Sequence, residues 1–191
     1  MPNNTNRIYA LLVGINDYPR SVGPLRGCVN DVGAVADWLG RAYPGRLALE
    51  CLTDAQATRG NLIERFRTHL GQAGPHDTVL FHYSGHGARA CPAAAFKRLY
   101  PDGRDEGLVC VDSREPGGFD LADKELAVLL REVAARGPHL AVLLDCCHSG
   151  SATRGADDFT QARARYTQEV FEETPPGDLS GRLVCRSTGA R

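Results

Sequence analysis

No apolar run in this chain reaches the ~18 residues that a bilayer-spanning helix needs, so the sequence offers no candidate for one. An excess of one charge is also missing. Lys+Arg 22 against Asp+Glu 23 leaves a net charge of −1, and no global basic field to draw nucleic acid or an anionic membrane surface. No CxxC pair occurs, which argues against a structural zinc site. The seven cysteines (Cys28, Cys51, Cys91, Cys110, Cys146, Cys147 and Cys185) are odd in number and, one adjacent pair aside, scattered. That is not the spacing of a secreted disulfide framework, and the expectation is a protein of the reducing cytoplasm. The N-terminal stretch MPNNTNRIYALLVGIN starts polar, and its short apolar run ends at Gly14 and Asn16 without a small-residue cleavage site. It reads as a first strand and not as a signal peptide.

What is present is an ordinary globular composition, 42% hydrophobic and 24% charged, in 191 residues. That length suits one domain with a real core. Short apolar runs alternate with amphipathic stretches. Residues 8–15 form a nearly continuous apolar strand of the kind covered on both faces. A helix follows to about Leu39, with Asn30 or Asp31 as its cap. Residues 46–52 read as a second strand, and residues 58–74 as a second helix with Leu62, Ile63, Phe66 and Leu70 on one face. Residues 77–87 read as a third strand running into a glycine turn, and residues 88–120 as an excursion with a short hairpin around GLVCVD. Residues 122–137 are a third helix, stopped by Gly137-Pro138, and residues 139–147 a fourth strand. Residues 151–181 lose periodicity and read as an exposed linker, and residues 182–187 as a fifth strand. This alternation predicts an α/β fold: a mostly parallel sheet flanked by helices, a three-layer sandwich.

In such sheets, sites form beyond the carboxyl ends of the strands. HYSGHG and LLDCCHSG both fall there. Side chains alternate along a strand, so Leu140, Val142, Leu144 and Cys146 share one face, and Ala141, Leu143, Asp145 and Cys147 the other. Cys146 thus continues an apolar row and reads as a core thiol, which leaves Cys147 as the candidate nucleophile. A thiol attacks as its thiolate and needs a base. His82 lies within a strand, and His148 adjoins Cys147 in sequence, where neighbouring side chains diverge. His86, between Gly85 and Gly87, is the better partner, with the glycines allowing a tight turn and close approach of substrate. Two rivals are a metal site from His82, His86, Cys147 and His148, and a redox pair from Cys146 and Cys147. The metal set lacks an established ligand spacing, and a disulfide between adjacent cysteines is strained.

Together, YALLVGINDY…LRGCVNDV, VLFHYSGHG and LLDCCHSG resemble the metacaspase and orthocaspase branch of the caspase-like cysteine peptidases. The likeness runs from about Tyr9 to Gly150, in order. It implies a caspase-like sandwich with a catalytic core at 1–150, a linker at 151–181, and a fifth strand and truncated end at 182–191. It implies Cys147 as nucleophile and His86 as its partner, with an oxyanion hole from the N–H groups of Gly87 and Cys147. The family's basic S1 pocket falls on Cys28, Asp31, Ser84 and Asp145. Two carboxylates there would hold a guanidinium and select Arg or Lys at the scissile bond. The function expected is a cysteine endopeptidase acting on protein substrates with a basic P1 residue; the alternative is an inert caspase-like scaffold.

The resemblance also raises calcium, with Asp102, Asp105, Glu106 and Asp123 in the corresponding acidic region. Lys124 stands where the family often has a second consecutive Asp, and Arg154 lies where another acid is common, so the reading here is a solvated acidic loop. A C-terminal small-subunit fragment is the expected partner. The terminal Arg191 suits a basic-specific enzyme cutting itself, and Arg154, Arg163, Arg165 and Arg182 offer further cuts.

Overall fold

In a computed structural model of the chain, residues 6–90 and 105–148 are described, with residues 89, 90, 105, 147 and 148 described in backbone alone. The linker at 151–181, the fifth strand and the end at Arg191 lie outside the described residues.

The strands are β1 (Ile8–Gly14), β2 (Leu47–Thr53), β3 (Thr78–Ala90), β4 (Asp105–Leu108), β5 (Leu121–Ala122) and β6 (His139–His148), and the helices are α1 (Cys28–Ala42), α2 (Arg59–Thr68) and α3 (Asp123–Ala134). The sheet runs β2-β1-β3-β4-β5, with β6 paired to β3. β1 is parallel to β2 and β3, and β6 is parallel to β3. β4 and β5 join antiparallel. The mixed sheet flanked by helices is the α/β architecture expected.

Alternation along the strands separates two cores. Tyr9, Leu11, Val13, Val79, Phe81, Tyr83, Leu140 and Val142 pack with Leu62 and Phe66 of α2 and with Leu126, Leu129, Leu130 and Val133 of α3. Ala10 and Leu12 face Val32 and Leu39 of α1. Phe66 is fully buried, its ring 4.7 Å from that of Phe81. Burying a side chain of that size stabilises by roughly 1.5–3 kcal/mol.

Three local expectations change. Neither Asn30 nor Asp31 caps α1. The helix starts at Cys28 after Gly27, whose φ of 122° is left-handed territory, and Asp31 sits within its first turn. The second helix is shorter than its pattern: Thr58 caps α2 by accepting the Asn61 N–H at 3.2 Å, and after Thr68 the chain tightens into a 3₁₀ turn at Leu70–Gln72. The glycine turn after the third strand does not form. β3 continues through Gly85, His86 and Gly87 to Ala90, because β6 pairs with it through Gly87 and β4 with its far end.

Candidate active site

Gly14, Ser84 and Asp145 lie in one row across β1, β3 and β6, on the sheet face toward α1. Two residues further along β3 and β6, His86 is paired with Cys147, on the same face by strand alternation. The two rows are therefore about 6.6 Å apart along the strands, and paired residues sit on strands about 4.8 Å apart.

Gly14 explains why α1 reaches this place. A Cβ there would lie 2.7 Å from the Cys28 carbonyl oxygen and 2.9 Å from Val32 Cγ2. The bare backbone lets the first turn of α1 rest on the end of β1. That contact brings Cys28 and Asp31 to the Ser84–Asp145 row. The Cys28 thiol shares a hydrogen bond with the buried Ser84 hydroxyl. Burial pushes this thiol up from its ordinary value, and the charges of Asp31 and Asp145 add to the shift. Cys28 is thus held as a neutral thiol, unsuited to attack. Asp31 and Asp145 are exposed, and among the described residues neither joins an ion pair. All four expected pocket residues come together at one end of one face.

His86 is half-buried. Its Nε2 lies 3.1 Å from the Gly23 carbonyl oxygen, an atom that only accepts, so Nε2 carries the proton and Nδ1 keeps the lone pair. Burial lowers the imidazole below its ordinary value, partly offset by the Gly23 carbonyl. A neutral ring whose Nδ1 keeps its lone pair can accept a proton. Its ring centroid is 4.8 Å from that of Tyr18.

Gly87, expected in the oxyanion hole, follows His86 and is paired with His148. Cys146 packs against the core shared with α2 and α3, opposite in parity to Cys147, as a core thiol should. His82 is buried in mid-strand, with burial lowering its imidazole. Of the calcium candidates, Asp102 lies outside the described residues, Asp105 and Glu106 are in β4, and Asp123 opens α3. The Asp123 carboxylate receives the Lys124 ammonium at 3.0 Å and the Lys124 N–H at 2.7 Å. Among the described residues, no three His, Cys, Asp or Glu side chains converge as a metal ion would need.

Sequence reasoning missed Tyr18, Gly23 and Tyr83. The first two belong to the loop between β1 and α1, whose path no periodicity reveals. Tyr83 carried a strand signal and nothing more.

The family model described as metacaspase, peptidase C14 domain matches residues 9–154. Metacaspase-1 of Ajellomyces capsulatus is 34% identical over 157 residues, which cover 78% of this chain and 42% of that protein. Metacaspase-1A of Aspergillus fumigatus is 34% identical over 155 residues, 78% of this chain and 36% of that protein. Metacaspase-1A of Aspergillus oryzae is 36% identical over 151 residues, 75% and 34% respectively. The chain spans well under half the length of these relatives. A solved structure of a Geobacter sulfurreducens protein superposes with a TM-score of 0.61 at 29% identity, covering 76% of this chain and 52% of that one.

Proposed function

The chain belongs to the metacaspase family, and on that premise we propose that it is a cysteine endopeptidase cleaving after Arg or Lys. His86 Nδ1 takes the proton of the Cys147 thiol. The sulfur attacks the carbonyl carbon that follows the basic side chain, and the N–H groups of Gly87 and Cys147 receive the negative oxygen. Collapse of this intermediate breaks the C–N bond, and His86 returns the proton to the departing amine. Water, deprotonated by His86, then frees the acyl group and restores the thiol.

The observation that carries the reading is the register of β3 and β6. His86 and Cys147 are paired, one pleat beyond the row of Ser84 and Asp145. A side chain reaching back about 6.6 Å along the strands from a carbonyl at position 147 would meet Asp145, Asp31, Ser84 and Cys28. Two carboxylates at that distance, unpaired among the described residues, favour a guanidinium or an ammonium. The partners proposed are protein substrates with a basic P1 residue and a C-terminal small-subunit region. Self-cleavage in the Arg-rich stretch around Arg154, Arg163 and Arg165 belongs to the same reading, as does a cytoplasmic setting that keeps the thiol reduced.

The test is a fluorogenic peptide panel with Arg, Lys or Asp at P1, with and without calcium, on the full chain. Arg and Lys peptides should be turned over and Asp peptides not. Cys147→Ala and His86→Ala should each lower kcat by at least ~10³-fold. Unchanged turnover in Cys147→Ala, or a preference for Asp, would overturn the reading.

A further inference from the structure

We propose that Tyr18 and Tyr83 are positioning residues for His86: their hydroxyls hold its backbone from behind the sheet and so set where its imidazole stands. The inference rests on the Cys–His reading above and adds to it how the base is held.

The reason lies in where strands begin and end. In a parallel ladder both backbone groups of a residue point to the same neighbour, and alternate residues serve opposite neighbours. Ser84 serves β1, its carbonyl accepting the Ile15 N–H at 3.1 Å. His86 comes next on that side, but β1 has ended at Gly14, and β4 pairs with β3 only from Gly87 onward. The N–H of His86 falls in the gap, and its C=O is met there by a single backbone donor, the Val109 N–H just beyond β4. Backbone groups in such a place need partners or cost free energy.

The two phenols fill the gap. The His86 N–H donates to Tyr18 Oη at 3.0 Å, and Tyr83 Oη lies 2.8 Å from the carbonyl oxygens of both His86 and Val109, with one proton to donate to either. Tyr18 Oη in turn donates to the Val109 carbonyl at 2.9 Å. The oxygens also lie 3.1 Å apart, and the Val109 N–H reaches the His86 carbonyl at 2.9 Å. Both rings belong to the core shared with α2 and α3, the face opposite the acidic row. A continuing strand would satisfy the same groups but would put side chains into the cleft, whereas hydroxyls from behind leave it open. Burial raises both phenols well above the ordinary value of 10, so they remain neutral.

Gly85 completes the arrangement. A Cβ there would lie 2.6 Å from both hydroxyl oxygens. Glycine stands beside the base to let the hydroxyls approach, not to turn the chain. The loop that supplies Tyr18 also supplies the Gly23 carbonyl on Nε2, so it holds both the backbone and the ring of His86.

The experiment compares the full chain with Tyr18→Phe, Tyr83→Phe, the double variant and, as a stability control on the same core, Phe66→Leu. Four quantities are read: kcat and KM on an Arg peptide, the thermal midpoint, and the pH dependence of Cys147 alkylation by iodoacetamide, resolved by peptide mass spectrometry. Each Tyr→Phe change should lower kcat about 10- to 100-fold with little effect on KM, as expected for a displaced catalytic group. It should also shift the alkylation profile, and the double variant should be less than additive. Phe66→Leu should lower the midpoint at least as much and keep kcat. Wild-type kcat and alkylation profile in both phenylalanine variants would overturn the proposal, as would an equal loss in Phe66→Leu. Should the unaltered chain cut no peptide, the endopeptidase reading fails by itself. The alkylation profile then decides the positioning role: a shift supports it and an unchanged profile ends it.

Discussion

Toward α2 and α3, the sheet presents Tyr9, Leu11, Val13, Val79, Phe81, Leu140 and Val142, all buried. Toward α1 it presents Ala10 and Leu12, and then His82, Ser84 and His86 along β3, with Asp145 beside Ser84. The same three strands supply both faces, so composition of the strands as a whole does not separate scaffold from chemistry. What separates them is parity: from Val79 to His86, odd positions of β3 are apolar, phenolic or glycine and face the core, and even positions past Leu80 carry polar groups. Such a division lets one face stay rigid while the other holds groups that titrate and face solvent.

Substitutions on the two faces should therefore fail in different ways. The largest effect belongs to the apolar face. Phe66→Ala should cost about 3–5 kcal/mol of stability, from lost burial and the cavity left behind. Urea unfolding checks this, and kcat per folded molecule should hold. A fall in kcat with unchanged unfolding would break the comparison.

On the other face, Asp145→Asn or Asp31→Asn should lower kcat/KM for an Arg peptide by about 10- to 100-fold, the worth of a hydrogen bond to a charged group. The thermal midpoint should stay where it is, since both carboxylates are exposed and unpaired among the described residues. Equal losses on an uncharged P1 peptide would show that these carboxylates do not read substrate charge.

The smallest effect is in pH. His82 is buried, and neither ring nitrogen finds a partner at hydrogen-bond geometry among the described residues. Burial lowers its imidazole, with the Leu143 carbonyl and the charges of Asp145 and Asp31 offsetting only part of the shift. Above the ordinary value of 6.5 both folded and unfolded chains hold this ring neutral. Below it the unfolded chain takes up a proton that the fold resists. Stability present above pH 6.5 is therefore lost as pH falls through the folded value, by at most about 1.4 kcal/mol per pH unit for one group. His86 shifts in the same direction and contributes likewise. Thermal midpoints between pH 7 and 5 should decline, and His82→Leu should flatten the decline. For catalysis the same direction keeps His86 available as a base when pH drops slightly below 6.5, so the acid limb of kcat/KM should lie lower than for a free imidazole.

The elements were legible because their signals are local. Leu62 and Phe66 recur at helical spacing, and Cys146 and Cys147 differ by one step of a period-two strand, so opposite faces followed directly. The nearness of Cys28, Asp31, Ser84 and Asp145 was legible as well, through motifs that resemble a family. The cap of α1 was not, because Gly27 starts the helix by its backbone and leaves Asp31 free of capping. Nor was the path of β3 beyond Ser84, since two glycines around a histidine look like a turn unless distant strands, β6 and then β4, extend the ladder.

From the order of residues alone came the three helices, the strands β1, β2 and β6 and the start of β3, the parity of the two cysteines, and the choice of His86 among the histidines. These depend on neighbours a few positions away. The tertiary structure decided that β6 lies beside β3 with position 147 level with position 86, that Gly14 admits α1 to the end of the sheet, and that Tyr18 and Tyr83 take over where β1 stops. Each of these joins groups dozens of residues apart, and such contacts are chosen by how whole faces pack and by which backbone groups are left in need of a partner.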